Sequence, residues 1–207
     1  MIPSDHFVRF YNEVFKFLDQ RNGLEAYYRE VSRHQERHCL DLFSRKGIAG
    51  MREYWSIIAK EENISSKKEG IVTDTKMLGS GSNVCPSLTK NLDNDAGLCE
   101  KYCMHCPGWV IPIFTKTGFY CVYDLMGLRK PSCSMNVFAI REEAEEFKRQ
   151  RIADGADPEL IYDNLDHADE VEANKRRLAP LRAQEAARGK DVSNKSTYQG
   201  NRGVSDT

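Results

Sequence analysis

The sequence predicts an α+β fold, with N-terminal helices packed on a small antiparallel sheet and a C-terminal helical extension. Apolar residues recur at helical spacing in the first third and alternate at strand spacing in the middle, and after Ile140 they return to helical spacing among many charges. The predicted sections are an N-terminal helical part at 1–66, a cysteine-rich sheet core of the same domain at 67–140, and a charged helical extension with a mobile tail at 141–207.

Three helices are predicted in the N-terminal part. The first begins near Ser4, which is a favourable N-cap residue, and ends before Gly23. The second is predicted over Leu24–Ser44 and the third over about Ile48–Asn63. Each carries an apolar stripe, so we expect these helices to pack on the sheet.

Four strands are predicted in the middle of the chain, at Ile71–Leu78, Gly108–Phe114, Gly118–Met126 and Cys133–Ile140. The last two are separated by a turn at Gly127–Ser132 and are expected to pair antiparallel. Pro112 would place its strand at an edge of the sheet. The stretch between Val84 and Pro107 sustains no regular pattern and is predicted to be a loop.

The C-terminal extension is predicted to hold two helices. The first covers Arg141–Arg151, and the second begins at Asp157-Pro158 and runs to about Arg188 with a thin apolar stripe. Such a helix needs a surface to lie on, either its own domain or a second subunit. Its length favours a subunit, which predicts a homo-oligomer formed through the extension. From Gly189 the chain is expected to be a mobile tail.

Composition and charge exclude several classes of protein. The chain has 207 residues, with 30 Lys and Arg against 31 Asp and Glu, so no basic excess indicates a nucleic-acid partner. No apolar run approaches the roughly 20 residues of a membrane span. The first segment has charged residues among its apolar positions, unlike a signal peptide. We therefore expect a cytoplasmic protein without nucleic-acid or membrane partners.

Cysteine placement is the most informative feature of the sequence. Six of the seven cysteines lie between Cys85 and Cys133, and three of them form the run Cys99-x3-Cys103-x2-Cys106. Thiolates this close can face one metal centre, either zinc or an iron–sulfur cluster. Cys85 is the nearest candidate for a fourth ligand and Cys133 the next. The alternative is that these are reduced cysteines packed in a core or loop.

Two histidines are candidates for acid–base chemistry. His34 and His38 are four positions apart on the second predicted helix and therefore share one face. That face continues an apolar stripe and is expected to look inward, where two imidazoles could move protons. The alternative is a pair of half-buried histidines that hydrogen-bond to neighbours or lie at an oligomer contact.

The order of short motifs in the middle third resembles a known family. The motifs are Val84-Cys85-Pro86, Leu98-Cys99, Cys103, Cys106-Pro107, Gly118-Phe119-Tyr120, Gly127, and Cys133 to Phe138. This order resembles the L-2-amino-thiazoline-4-carboxylic acid hydrolase-like family and, more distantly, the 4-vinyl-reductase-type small-molecule-binding domain. The resemblance covers about residues 70–140. It implies an α+β fold with helices before and after an antiparallel sheet, and hydrolytic opening of a small cyclic C–N bond.

Two classes of function follow from these features. In the first, the protein is an enzyme for a small-molecule ligand, in which a cysteine-held metal polarises a carbonyl or activates water and His34 or His38 moves protons. In the second, zinc or an iron–sulfur cluster stabilises a module that binds a small molecule or a partner without catalysis, or the cluster carries electrons. The predicted cofactor in both classes is zinc or an iron–sulfur cluster.

Overall fold

A computed structural model describes residues 3–61, 70–80, 85–93, 95–127 and 132–199. Within these residues the chain forms eight α-helices and one five-stranded antiparallel sheet, which confirms the predicted α+β class. The helices are α1 (Pro3–Asp19), α2 (Leu24–Val31), α3 (Arg37–Lys46), α4 (Ile48–Glu61), α5 (Pro86–Leu92), α6 (His105–Lys116), α7 (Arg141–Ala153) and α8 (Ala168–Gln199). The strands are β1 (Ile71–Val72), β2 (Lys76–Ser80), β3 (Tyr120–Asp124), β4 (Ser134–Phe138) and β5 (Ile161–Asp163).

The sheet has the strand order β1-β2-β4-β3-β5, with β3 and β4 near its centre. Tyr120 pairs with Phe138 and Asp124 with Ser134, which confirms the predicted antiparallel pair. Every residue of β3 is buried, because helices cover both faces of the sheet there. The single strand predicted over 71–78 is instead the hairpin of β1 and β2. Most of the predicted turn between β3 and β4 lies outside the described residues.

Three clusters of buried side chains hold the fold together. One face of the sheet, with Cys121 and Val137, packs against α3, α4 and α6. The opposite face, with Tyr120 and Phe138, packs against α7 and the start of α8. A third cluster joins α1, α2 and α5 around the buried ring of Phe15. The alternation of side chains along β3 therefore supplies two separate cores.

The predicted edge strand over 108–114 is wrong, because these residues belong to helix α6. A short apolar run does not distinguish a strand from a buried helix, and here Ile113 and Phe114 are buried side by side on a helix. Pro112 lies inside the helix, so it removes one backbone hydrogen bond without ending it. The predicted loop before α6 also contains a helix, α5, with Cys85 as its N-cap and Pro86 in its first turn.

The predicted long C-terminal helix begins too early. Asp157-Pro158 starts a short 3-10 turn that leads into β5, and β5 pairs with β3. Helix α8 then packs against α3 and α6, where Asn174 Nδ2 donates to the carbonyl of Thr115 at 3.1 Å. The extension is therefore part of the domain through its strand and the first half of α8. The backbone of the predicted mobile tail is helical to Gln199, and residues 200–207 lie outside the described part.

Candidate functional site

Four of the seven cysteines line one small cavity. They are Cys85, Cys103, Cys106 and Cys133, and the cavity is about 30 Å³. Each comes from a different local structure: the N-cap of α5, a 3-10 turn, the first turn of α6, and the residue before β4. The other lining residues are Leu88, Tyr102, His105, Tyr123, Leu125 and Ser132. The fold thus brings Cys85 and Cys133 to the neighbouring pair Cys103 and Cys106, from which each is separated by at least 18 positions in the sequence.

The cavity lies where two of the three cores meet. Leu88 and Tyr102 belong to the N-terminal cluster, whereas Tyr123 and Leu125 belong to the sheet core. Cys103 packs against both. A site at such a junction is shielded from water on two sides by apolar side chains, which raises the cost of any uncompensated charge inside it.

Two thiols of this cavity, those of Cys103 and Cys106, favour their neutral form when no cation is present. Burial and, to a smaller extent and in this order, the neighbouring thiols of Cys106, Cys85 and Cys133 together raise the pKa of Cys103 to about 12. Burial also raises the pKa of Cys106 to about 11, against a lowering hydrogen bond from Tyr123. The described lining residues include no Lys or Arg, so no fixed side-chain cation among them would stabilise thiolates.

Two polar side chains contact the cavity thiols. Tyr123 Oη lies 3.3 Å from Cys133 Sγ. His105 Nδ1 bonds the carbonyl of Tyr102, and because a carbonyl only accepts, the ring proton lies on Nδ1. His105 Nε2 is then an acceptor, and the thiol of Cys106 donates to it at 3.3 Å. Burial lowers the pKa of His105, so both partners of this pair are neutral near pH 7.

Cys99 does not line the cavity, although the sequence grouped it with Cys103 and Cys106. Its side chain is buried in the N-terminal cluster beside α1. Its backbone N–H donates to Asn12 Oδ1 at 2.9 Å. The 3-10 turn between Cys99 and α6 therefore separates the first cysteine of the run from the other two, and Cys133 is the fourth member of the group.

The predicted histidine pair is not formed. The second predicted helix ends at Val31, and α3 begins only at Arg37, so His34 lies between helices and the shared face is lost. Both histidines are exposed, and neither lines the cysteine cavity. His38 contacts Cys39 and the ring of Tyr54 instead. The break follows from the polar run at 32–37, which has no apolar residue to anchor another helical turn.

The donor set can be compared with the requirements of different metal centres. In the part of the chain that the structure describes, no three His, Cys, Asp or Glu side chains are placed to hold one metal ion. A single zinc ion with sulfur ligands at about 2.3 Å needs those sulfurs within about 4 Å of each other. In an iron–sulfur cluster the thiolates bind different iron atoms and are spread around a larger group. Four cysteines around a cavity match the ligand chemistry of the cluster.

The space within the site is limited. The volume of the cavity is about 30 Å³, which is room for one or two water molecules. It opens into a cleft whose unfilled space, including the part open to solvent, is about 330 Å³. A cluster would therefore occupy the cleft as well as the enclosed cavity.

Comparisons with known proteins leave the family open. No family model, no curated protein and no solved structure matches this chain. The resemblance to the amino-thiazoline-carboxylate hydrolase-like family therefore stays a prediction. Among the described helices, none is both long and apolar enough to cross a bilayer.

Proposed function

We propose that the protein is an iron–sulfur protein whose cluster is held by Cys85, Cys103, Cys106 and Cys133. The observation that carries this proposal is the presence of these four thiols around one cavity, although they come from four separate local structures. Four cysteine ligands are the usual set for two-iron and four-iron clusters. When bound, such a cluster accepts and releases single electrons.

Electrostatics supports a cationic centre in this place. Buried thiols with pKa values of about 11 and 12 at Cys106 and Cys103 stay protonated in the metal-free protein. If these cysteines held iron, their thiols would release those protons and the metal would compensate the thiolate charges, so loading of the site and loss of protons would be coupled. We also propose a reducing compartment such as the cytoplasm, because oxidation of these neighbouring thiols would remove the ligands.

The test is anaerobic reconstitution with ferrous iron and sulfide, followed by visible absorption and iron analysis. We expect Cys85→Ser, Cys103→Ser, Cys106→Ser and Cys133→Ser each to lose most of the iron that the unsubstituted protein binds. The matched control is Cys99→Ser, a buried cysteine of the adjacent cluster that does not line the cavity. It should retain iron. Retention in the four variants, or equal loss in the control, would reject this ligand set.

A second candidate function is hydrolysis of a small cyclic C–N bond. Its support is that the region of family resemblance, about residues 70–140, contains all four cavity cysteines and also Tyr123 and His105. In this version a small-molecule ligand enters the cleft, and His105 replaces His34 and His38 as the candidate proton carrier because it contacts the cavity. Ring opening of a thiazoline carboxylate by the loaded protein, followed by mass spectrometry, tests it. Activity that disappears in Cys103→Ser supports the candidate, and no ring opening rejects it.

A further inference from the structure

We propose that the hydroxyl of Tyr123 donates a hydrogen bond to the ligand sulfur of Cys133 and thereby raises the reduction potential of the centre. This inference rests on the proposed iron–sulfur function. It assigns a tuning role to a side chain that holds no metal itself.

The position of Tyr123 is fixed by the sheet. It lies in β3, opposite Met135 of β4 and Tyr162 of β5, and only 6% of it is exposed. A central strand with partners on both sides leaves the ring little freedom to move. Its hydroxyl oxygen lies 3.3 Å from Cys133 Sγ. The phenol therefore contacts one of the four proposed ligands, and the other three line the same cavity.

The chemistry fixes the direction of this hydrogen bond once the cysteines bind metal. A thiolate ligand carries no proton and only accepts, so the phenol must donate. The single phenolic hydrogen is then directed at the sulfur of Cys133, 3.3 Å from the hydroxyl oxygen.

Donation to sulfur affects the two oxidation states unequally. Reduction adds negative charge to the cluster and its thiolates, so a hydrogen bond to sulfur stabilises the reduced state more than the oxidised state. Removal of the hydroxyl should therefore make the midpoint potential more negative. Because Tyr123 is 6% exposed and apolar cores lie on two sides of the site, water screens this effect less than it would at the surface.

The experiment compares two matched tyrosine variants after anaerobic reconstitution. Tyr123→Phe keeps the ring and removes the donor. Tyr162→Phe makes the same change directly across the strand pair, at a residue that does not line the cavity. We expect equal iron and sulfide in both variants, a more negative midpoint potential only in Tyr123→Phe, and an altered electron paramagnetic resonance spectrum of its reduced form.

A second substitution tests the inference if Tyr123→Phe does not bind iron and sulfide. Fluorotyrosine at position 123 keeps the shape and the hydroxyl but makes it a stronger donor, and it should move the potential in the positive direction. An unchanged potential in the loaded Tyr123→Phe or fluorotyrosine protein overturns the inference. Failure of the unsubstituted protein to bind iron and sulfide would instead reject the proposed function itself.

Discussion

At the scale of single residues, the polar side chain that organises the exit from β3 is Asp124. It is 1% exposed, and Arg151 of α7 donates Nε and Nη2 to its Oδ2 at 3.0 and 2.9 Å. Its other oxygen accepts from the backbone N–H of Met126 at 2.8 Å, which holds Met126 at a φ of 53°. This ion pair fixes the turn that follows Leu125, a residue of the cavity wall.

Loss of the cation of this pair should be costly. Arg151→Met leaves a buried carboxylate without its partner, and we expect the free energy of unfolding in urea to fall by about 2–4 kcal/mol. The lower end of this expected loss reflects the 31% exposure of the Arg151 side chain, because water can partly replace the cation there. The control is Arg149→Met, whose pair with Glu146 is 65% and 66% exposed, and about 0–1 kcal/mol is expected there. Equal losses in the two variants would contradict the account.

Raised thiol pKa values predict how the metal-free protein responds to alkaline pH. Cys106 and Cys103 have pKa values of about 11 and 12 in the folded chain, against an ordinary 9.0. Above pH 9 the unfolded chain releases these protons while the folded chain keeps them, so the unfolded state binds fewer protons and stability falls as pH rises. The free energy of unfolding should fall by about 1.4 kcal/mol per pH unit for each thiol. The fall should end as pH passes the pKa that each thiol has in the folded chain.

Urea unfolding in the presence of a chelator, between about pH 8 and 10.5, measures this fall. The double variant Cys103→Ala/Cys106→Ala removes both titrating groups and should show a shallower decline. An equally steep decline in the double variant would mean that other groups, such as the buried tyrosines, cause it.

At the scale of elements, Gly118 permits the contact between the turn before β3 and helix α8. Its φ is 74°, a conformation that favours glycine. A Cβ atom there would lie 2.6 Å from both the backbone N and the Cα of Lys175. The turn and the helix are therefore in backbone contact. The atoms that the added Cβ would meet belong to the backbone of Lys175, so no flexible side chain can move aside.

Gly118→Ala should combine backbone strain with this clash, at a cost of about 2–5 kcal/mol in the free energy of unfolding. Gly155→Ala is the matched control, because Gly155 also has a positive φ, 92°, but nothing lies within 4 Å of its added Cβ. About 1–2 kcal/mol is expected for that variant. A cost for Gly118→Ala no greater than that of the control would contradict the close packing of α8.

The sequence predicts best those elements whose apolar pattern arises within the element itself and does not depend on pairing with a distant segment. Alternation predicts β3 and β4 and their pairing, whereas the apolar run at 108–114 in α6 has no clear period and predicts a strand instead of a helix. Strand β5 has three residues, too few for a pattern, and its position depends on pairing with β3. Its attachment also uses Asn164, whose side chain bonds the N–H of Cys121 and the carbonyl of Phe119.

The same limit applies to the candidate site. Local spacing predicts Cys99, Cys103 and Cys106 as metal ligands, with Cys85 and Cys133 as candidate partners, and four of these five residues line one cavity. Spacing could not show that the 3-10 turn directs Cys99 into another cluster. Tyr123 was visible only as one residue of an alternating strand, since its role depends on contacts across the fold.

At the scale of the whole molecule, the packing of α8 changes the expected role of the C-terminal region. Arg182 stacks on the ring of Phe119, with 4.6 Å between Cζ and the ring centroid, and donates to carbonyls of both α3 and the turn after α6. A polypeptide that stops after Gly155 lacks these contacts of Arg182, strand β5 and all of helix α8. We expect it to lose cooperative thermal unfolding rather than only its assembly.

A polypeptide that stops after Arg188 keeps every described contact of Arg182 and should unfold at the same temperature as the full chain. Light scattering of this shorter chain tests whether the removed end of α8, after Arg188, forms the predicted homo-oligomer. A smaller particle with unchanged unfolding supports assembly through the distal helix, and an unchanged number of chains per particle rejects it. Cooperative unfolding of the chain that stops after Gly155 would contradict the assignment of α8 to the domain.

An iron–sulfur cluster held by four cysteines has a defined metal and sulfide content. The decisive measurement is the iron, zinc and acid-labile sulfide content of protein purified without oxygen, beside Cys103→Ser purified in the same way. The account predicts equal iron and sulfide, about two or four of each per chain, and a joint loss of both in Cys103→Ser. Stoichiometric zinc without sulfide, or iron and sulfide unchanged in Cys103→Ser, would contradict it.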